Sequence, residues 1–232
     1  MNFLNPAGGL KYHVQAWFHA HGLWKPYIQV IQNWIDSWPL TERSQMILIG
    51  PSAGYSLSET WLDSFAHITI CEIDPVARFL FVRRFPKIKS KTAWVTGSVF
   101  ESTTSWNTFL SEHPNSPILF CNFLGQAQHL KLPLTLREII TPLLGSRPWA
   151  SYHDRFSSSL KPHIERSAHP RALSTSEILE EFYNALPESS GDLELYDHDT
   201  HFFGELDLNE AHYFHWAYSQ SWHHLIEGVW GK

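Results

Sequence analysis

Gly50, Ser52 and Gly54 in the string GPSAG, with Glu72 and Asp74 placed 22 and 24 residues after Gly50, are the residues whose types and spacing carry the clearest chemistry. Glycines at a turn let the chain reverse sharply and let a ligand approach the backbone, and a carboxylate at the end of the next strand accepts hydrogen bonds from ribose hydroxyls. A dinucleotide- or nucleoside-binding half-unit is the reading that uses all five. Other turn chemistries compete for the same string. The nicotinamide fingerprint needs small residues at its first, third and sixth positions, and the sixth here is Tyr55. A P-loop needs Gly-Lys-Ser/Thr after the turn, which this chain lacks. The G-x-S-x-G elbow of serine hydrolases matches literally and would make Ser52 a nucleophile. However, only helical-looking sequence precedes Met46, where that fold places several strands and an oxyanion loop.

Histidine, with 15 copies, is the other source of chemistry. His198 and His201 in HDTH, His212 and His215 in HYFH, and the pair His223-His224 invite a metal reading, because histidines on one strand or helix face can share an ion. His198 and His201 are three apart where a strand runs into a loop, hence on opposite faces if extended, and no glutamate or nearby cysteine completes a ligand set. The sequence is therefore read without a metal site.

The elements that must position these residues follow from periodicity. MILIG, then YSLSETWLDSF, then HITICEID reads as strand, tight turn, helix and second strand, with the acids at the second strand's end. Before it, residues 1–44 form a helical segment. Asn5-Pro6 and Gly8-Gly9 start it as a loop, and apolar residues recur at three and four over 10–19 and 27–38, around a break at Gly22 and Pro26. Residues 45–232 form the α/β domain. KTAWVTGSV is its third strand, PILFCNFLGQ a buried fourth ending at Asn122, and PWASYHDRF a fifth with His153, Asp154 and Arg155 at its mouth. STSEILEEFYNAL is a capped helix, and GDLELYDHDT and AHYFHWAYSQSWHHLIEGVW are closing strands. A chain of 232 residues, 43% hydrophobic, can bury one sizeable core.

A net charge of −6 offers no broad footprint for nucleic acid or an acidic membrane, which argues against a nucleic-acid partner and favours a small-molecule acceptor. The run from Arg78 to Lys91, rich in cations, reads as a solvated helix end. Cys71 and Cys121 lie in apolar runs and read as reduced residues of a cytoplasmic protein, and no basic start with an apolar run marks a signal peptide or a membrane span.

Small residues at positions one, three and five of the turn, an acid-Ile-Asp-Pro about twenty residues on, and this element order resemble the class I S-adenosylmethionine-dependent methyltransferases. The resemblance runs from Met46 to Trp230. It implies a Rossmann-like doubly wound sheet of about seven strands with an antiparallel C-terminal strand, the N-terminal helices lying over the cleft as an appendage, and S-adenosylmethionine as cofactor. It also implies that Gly50, Pro51, Ser52 and Gly54 back the methionine and ribose, that Glu72 takes the ribose hydroxyls beside Asp74, and that Ile73 packs on adenine. Ser98 and Val99 would flank the base, and Asn122 and Phe123 the methionine end. Tyr12, His13, Trp17, Gln126 and Arg155 would line the acceptor pocket. His153, oriented by Asp154, would be the general base where one is needed. Two residues before the first glycine the family usually carries an acid, where this chain carries Leu48, and at the end of the third strand it often carries another, where this chain carries Ser98. A non-catalytic binder of the same fold is therefore the second reading, and a hydrolase using Ser52 the third.

Overall fold

The structure is a computed structural model, which describes residues 9–126, 130–184, 194–206, 208 and 210–231; Asn5, Pro6 and Gly8 lie outside them. In chain order the helices are α1 (Leu10–His19), α2 (Lys25–Ser37), α3 (Glu59–Asp63), α4 (Pro75–Arg84), α5 (Thr103–Glu112), α6 (Leu136–Ile140) and α7 (Thr175–Tyr183). The strands are β1 (Gln45–Ile49), β2 (His67–Cys71), β3 (Thr92–Val95), β4 (Ile118–Cys121), β5 (Trp149–Ser158), β6 (Arg166–His169), β7 (Leu195–Asp197), β8 (Ala211–Ala217) and β9 (His223–Gly231).

They build one nine-stranded sheet in the order β3-β2-β1-β4-β5-β9-β8-β6, with β7 paired to β5. The first five strands run parallel, and β9, β8, β7 and β6 each run antiparallel to their partners. The chain reverses its winding between β1 and β4, so a crevice opens beyond their carboxyl ends, where open α/β sheets hold their ligands. The sheet has nine strands where about seven were expected: β6 falls on sequence not read as a strand, and the closing strand expected over GDLELYDHDT is the short β7, paired to β5 off the main order.

Alternation along the strands sorts side chains onto two cores. Met46, Leu48, Leu119, Cys121, Ala150 and Tyr152 pack with α1, α2 and α3, while Ile47, Ile49, Ile118, Phe120 and Trp149 pack with α5, α6 and α7. Trp34 of α2 stacks on Trp230, with ring centroids 5.3 Å apart, and meets Tyr152 and Phe214 edge-on, so the N-terminal helices share the core of the sheet.

Helix starts follow their caps. Asp74 accepts from the Val76 N–H with Pro75 opening α4, Ser102 accepts from Ser105 in front of α5, and Ser174 with Glu177 forms a capping box on α7. The helix after the glycine turn is shorter than its apolar spacing predicts. Ser58 caps it through the Trp61 N–H, so Tyr55 belongs to the preceding turn.

β5 is the strand that departs most from expectation. It continues to Ser158, is buried throughout, and carries a bulge between Asp154 and Phe156. Its last residues pair with β9 on one side and β7 on the other, which seals what the sequence suggested was an open strand mouth.

Candidate cofactor crevice

The turn after β1 has the left-handed backbone that its glycines foretell, with φ of 61° at Gly50, 52° at Ser52 and 69° at Gly54. The two glycines are needed for different reasons. A Cβ on Gly54 would lie 2.5 Å from the Phe85 ring and 3.0 Å from Phe81, so this position serves the packing of α4 against the turn. A Cβ on Gly50 would lie 2.9 Å from the Phe123 ring, which itself stacks on Phe100 with centroids 5.2 Å apart. Phe123 thus borders the crevice at the end of β4, and Pro51 beside Gly50 is buried.

Glu72 stands at the end of β2 and ties the turn to it. Its Oε2 accepts from the Ser52 N–H and its Oε1 from the Asp74 N–H, both at 2.9 Å. Burial pushes its carboxyl above the ordinary carboxylate range, against the pull of those N–H donors. A carboxylate offers about four acceptor positions, and with the Ile73 N–H also drawing on this one, at most two remain for hydroxyls of a ligand. Ile73, 64% exposed, offers an uncovered apolar platform next to it. Ser98 is exposed, with its Oγ accepting from the Phe100 N–H, while Val99 is buried in the core. The residues around Glu72 therefore fit a nucleoside: a carboxylate with acceptor capacity, an open apolar surface beside it, and a glycine turn whose backbone a ligand can approach closely.

Asp74, expected among the ligand contacts, is already engaged. Its Oδ1 caps α4, and its Oδ2 lies 3.4 Å from His13 Nε2. His13, in turn, is buried on α1 with Nδ1 3.3 Å from the Tyr55 hydroxyl, so it fastens α1 over the turn rather than facing an acceptor. Tyr12 beside it is half-buried between Tyr55 and Trp24, and burial pushes its hydroxyl far above the ordinary tyrosine range, so it remains a proton donor. Trp17 is 79% exposed on α1 and not enclosed with them.

Burial holds the His13 imidazole below its ordinary value of 6.5, with Asp74 pulling the other way. A histidine whose folded value is depressed contributes stability at higher pH that is lost as pH falls, because the undocked form takes up the proton more readily. Tyr55, Tyr12 and Asp74 are the groups facing it. Amide hydrogen exchange in α1 is therefore expected to quicken, relative to that of β1, as pH falls below the ordinary histidine value. His13→Phe should flatten the dependence. Equal pH profiles for the two proteins would count against this coupling.

The fifth strand overturns two placements. His153 is 0% exposed and lies mid-strand on the α5–α7 face, with Nδ1 2.9 Å from Ser151 Oγ and Nε2 3.1 Å from Glu227 Oε2. The Phe203 ring lies 4.7 Å away. A histidine so enclosed cannot reach an acceptor, so the expected general base is a core residue. Arg155 is fully buried too, its guanidinium bonded to Asp197 and, at 2.7 Å, to Thr175 Oγ1, where it ties β7 and α7 to β5 instead of lining a substrate pocket.

Asp154, on the opposite face, does meet the crevice. Asn122, in left-handed conformation at the end of β4, exchanges two hydrogen bonds with it: Oδ1 accepts from the Asp154 N–H at 2.9 Å, and Nδ2 donates to Asp154 Oδ2 at 3.3 Å. Burial alone would raise the Asp154 carboxyl, but His224, His198 and Asn122 outweigh it and hold the group well below the usual carboxylate range. It is thus an anion that orients its neighbours and a poor base. Gly125 packs flat under it, where a Cβ would lie 2.3 Å from the Asp154 carbonyl oxygen. Gln126 follows, half-buried at the end of the short 3₁₀ turn Leu124–Gln126. Sequence reasoning did not associate His198 and His224 with Asp154, because β7 and β9 bring them there from 44 and 70 residues downstream.

Ser52 lacks the surroundings of a nucleophile. Its backbone N–H is spent on Glu72, and among the described residues no hydrogen bond joins its hydroxyl to a histidine.

Five parallel strands in the order β3-β2-β1-β4-β5, closed by the antiparallel pair β9 and β8, with an acid at the end of β2 facing a glycine turn after β1, make this a class I methyltransferase fold. No protein-family model and no curated protein matches the sequence. Among solved structures, the chain is similar to a Pyrococcus horikoshii protein provisionally named an RNA methyltransferase, with 10% identity over 88% of this chain and 83% of that one and a TM-score of 0.44. It is also similar to an RNA methyltransferase of Salinibacter ruber bound to S-adenosyl-L-homocysteine, with 16% identity, 55% and 74% coverage and a TM-score of 0.34. A third is an rRNA methyltransferase of Streptomyces viridochromogenes, with 16% identity, 64% and 80% coverage and a TM-score of 0.37. Likeness at this level reaches no further than the fold.

One expectation is corrected: proteins named as RNA methyltransferases stand among the solved structures to which this chain is similar, and the net charge that set nucleic acid aside in favour of a small molecule does not exclude it. A whole-chain charge of −6 averages over the surface and conceals local cations such as Arg78, Arg83 and Arg84 on α4. Among the described residues no helix is long and apolar enough to cross a membrane.

Proposed function

We propose that this protein transfers a methyl group from S-adenosylmethionine to an acceptor presented at the carboxyl end of β4, beside Asp154 of β5. The observation that carries this reading is Glu72, its Oε2 held by the turn it faces and its Oε1 by the Asp74 N–H, and left with acceptor capacity beside the exposed Ile73. Bound there, the cofactor supplies an activated methyl on a sulfonium. Glu72 would take its ribose hydroxyls, Ile73 would cover the adenine with Ser98 beside it, and the turn from Gly50 to Gly54 would back the ribose and methionine. Asn122 and Phe123 would border the methionine end, with Tyr12 and Gln126 toward the acceptor. The chain's own task is orientation, which in well-positioned systems contributes about 7 to 11 kcal/mol. Tyr12, held protonated, donates a hydrogen bond to the acceptor, and Asp154 of β5 with Asn122 fixes the wall at the end of β4.

One observation favours a second reading, binding without turnover. Leu48 is fully buried against the N-terminal helices where the family's acid would reach the cofactor's amino end. Calorimetric titration with S-adenosylmethionine and S-adenosylhomocysteine, followed by incubation with methyl-labelled cofactor and RNA, protein and small-molecule fractions, separates the two. Saturable binding with label transferred to one fraction is expected, RNA being offered first. Binding with no S-adenosylhomocysteine formed supports the second reading, and absence of binding by the folded protein at about millimolar cofactor overturns both.

A further inference from the structure

Asp154 on β5, His198 just after β7 and His224 on β9 each place one ligand-capable atom within 4.8 Å of the other two. The tautomer of His198 is fixed from outside the cluster. His198 Nδ1 lies 2.9 Å from the Gly125 carbonyl oxygen, to which it donates, and Nε2 is left as a lone pair facing Ser157 Oγ at 2.6 Å. His224 directs Nδ1 toward the same hydroxyl at 3.0 Å and lies 2.9 Å from Asp154 Oδ1. That contact is close but off the line of a hydrogen bond, which leaves Oδ1 of this residue, 3% exposed, with no aligned donor, while Oδ2 is taken by Asn122.

Two ordinary explanations fail. In a serine nucleophile triad the serine and the acid bond opposite nitrogens of the histidine, whereas Ser157 and Asp154 both approach Nδ1 of His224. A plain ion pair would aim Nδ1 of His224 at the carboxylate, and Ser157 Oγ takes the aligned position instead. Two imidazole nitrogens and a carboxylate oxygen converging on one point are instead the donor set of zinc and neighbouring divalent first-row ions. The Gly125 carbonyl behind His198 and the Asn122 amide behind Asp154 are the outer hydrogen bonds that such ligands require.

We propose that Asp154, His198 and His224 bind a divalent transition-metal ion beside the end of β4. Three protein ligands leave positions open, and a cation there would bind an oxygen of the acceptor and lower its proton affinity. That role rests on the methyl-transfer reading, whereas the binding site itself does not.

The test uses the full chain, treated with chelator and dialysed, without S-adenosylmethionine, so that failure of cofactor binding leaves it untouched. Titration with zinc chloride is expected to show one saturable ion per chain, weakened by about tenfold or more in His198→Ala and in His224→Ala. His201→Ala, outside the cluster, serves as control. X-ray absorption of the zinc-loaded wild-type protein is expected to show two imidazole ligands, and this readout does not depend on how the variants fold. No binding by the folded wild-type protein at about 100 μM zinc, equal affinity in folded His198→Ala, or fewer than two imidazoles would overturn the proposal.

Discussion

Glu72→Ala is expected to weaken S-adenosylmethionine binding by about a hundredfold. Hydrogen bonds to a charged acceptor contribute about 1.5 kcal/mol or more each, two ribose hydroxyls would be lost, and each 1.4 kcal/mol is about tenfold in affinity. The variant also strips acceptors from the Ser52 and Asp74 N–H groups, so the turn that backs the ligand loses its tie to β2. Glu72→Gln separates the two effects. It keeps one acceptor oxygen but sets an amide N–H₂ against a backbone N–H, and binding should fall while the melting temperature moves less than in the alanine variant. A pH signature accompanies the site. Burial raises the Glu72 carboxyl, and ribose hydroxyls donate to its ionised form, so binding must expel the proton and should tighten as pH rises through the raised value. Calorimetry in buffers of different ionisation enthalpy would register that proton. Unchanged affinity in folded Glu72→Ala would remove Glu72 from the ribose site and, with it, the main support for the proposed cofactor.

The unit from β1 to β2 was legible because its signals are local. Small residues that tolerate positive φ sit at a fixed distance from an acid, and strand periodicity places that acid at the strand end. The helix after the turn was misjudged because Tyr55 has the apolar spacing of a helix, whereas Ser58 carries the cap, and a cap decides where a helix begins. β5 shows the stronger limit. WASYHDRF reads as a strand ending in polar residues, which suggests a mouth, and nothing local announces that β9 and β7 will cover both its edges. His153, Asp154 and Arg155 are consecutive, yet the pleat and the bulge send them to three environments: Glu227 on one face, Asn122 and His224 on the other, and Asp197 beside β7. Contacts made across tens of residues leave no spacing for a sequence to display, so the histidines near Asp154 could be counted but not assembled.

The same geometry makes Glu227 a keystone of the fold and gives a large stability prediction. Its Oε1 accepts from the Tyr213 hydroxyl at 2.5 Å and its Oε2 meets His153 Nε2, with all three residues buried. Tyr213 also accepts from the Leu173 N–H at 2.7 Å, which carries the network to the loop before α7. Glu227→Ala orphans two buried polar groups at about 1 to 3 kcal/mol each and opens a hole in the strand's packing, so a loss of about 3 to 5 kcal/mol is expected in chemical denaturation. Glu227→Gln, which retains an acceptor for Tyr213, should lose clearly less. His153→Ala is expected to follow the same pattern, a fall in stability with the turnover of the remaining folded protein preserved. A general base would behave in the opposite way, holding the fold while kcat fell by about 10²- to 10⁴-fold, and that outcome would return His153 to the reacting centre. Measuring denaturation midpoint and kcat on the same preparations of His153→Ala and Glu227→Gln therefore decides whether the histidine–glutamate pair is a brace across β5 and β9 or part of the chemistry beyond them.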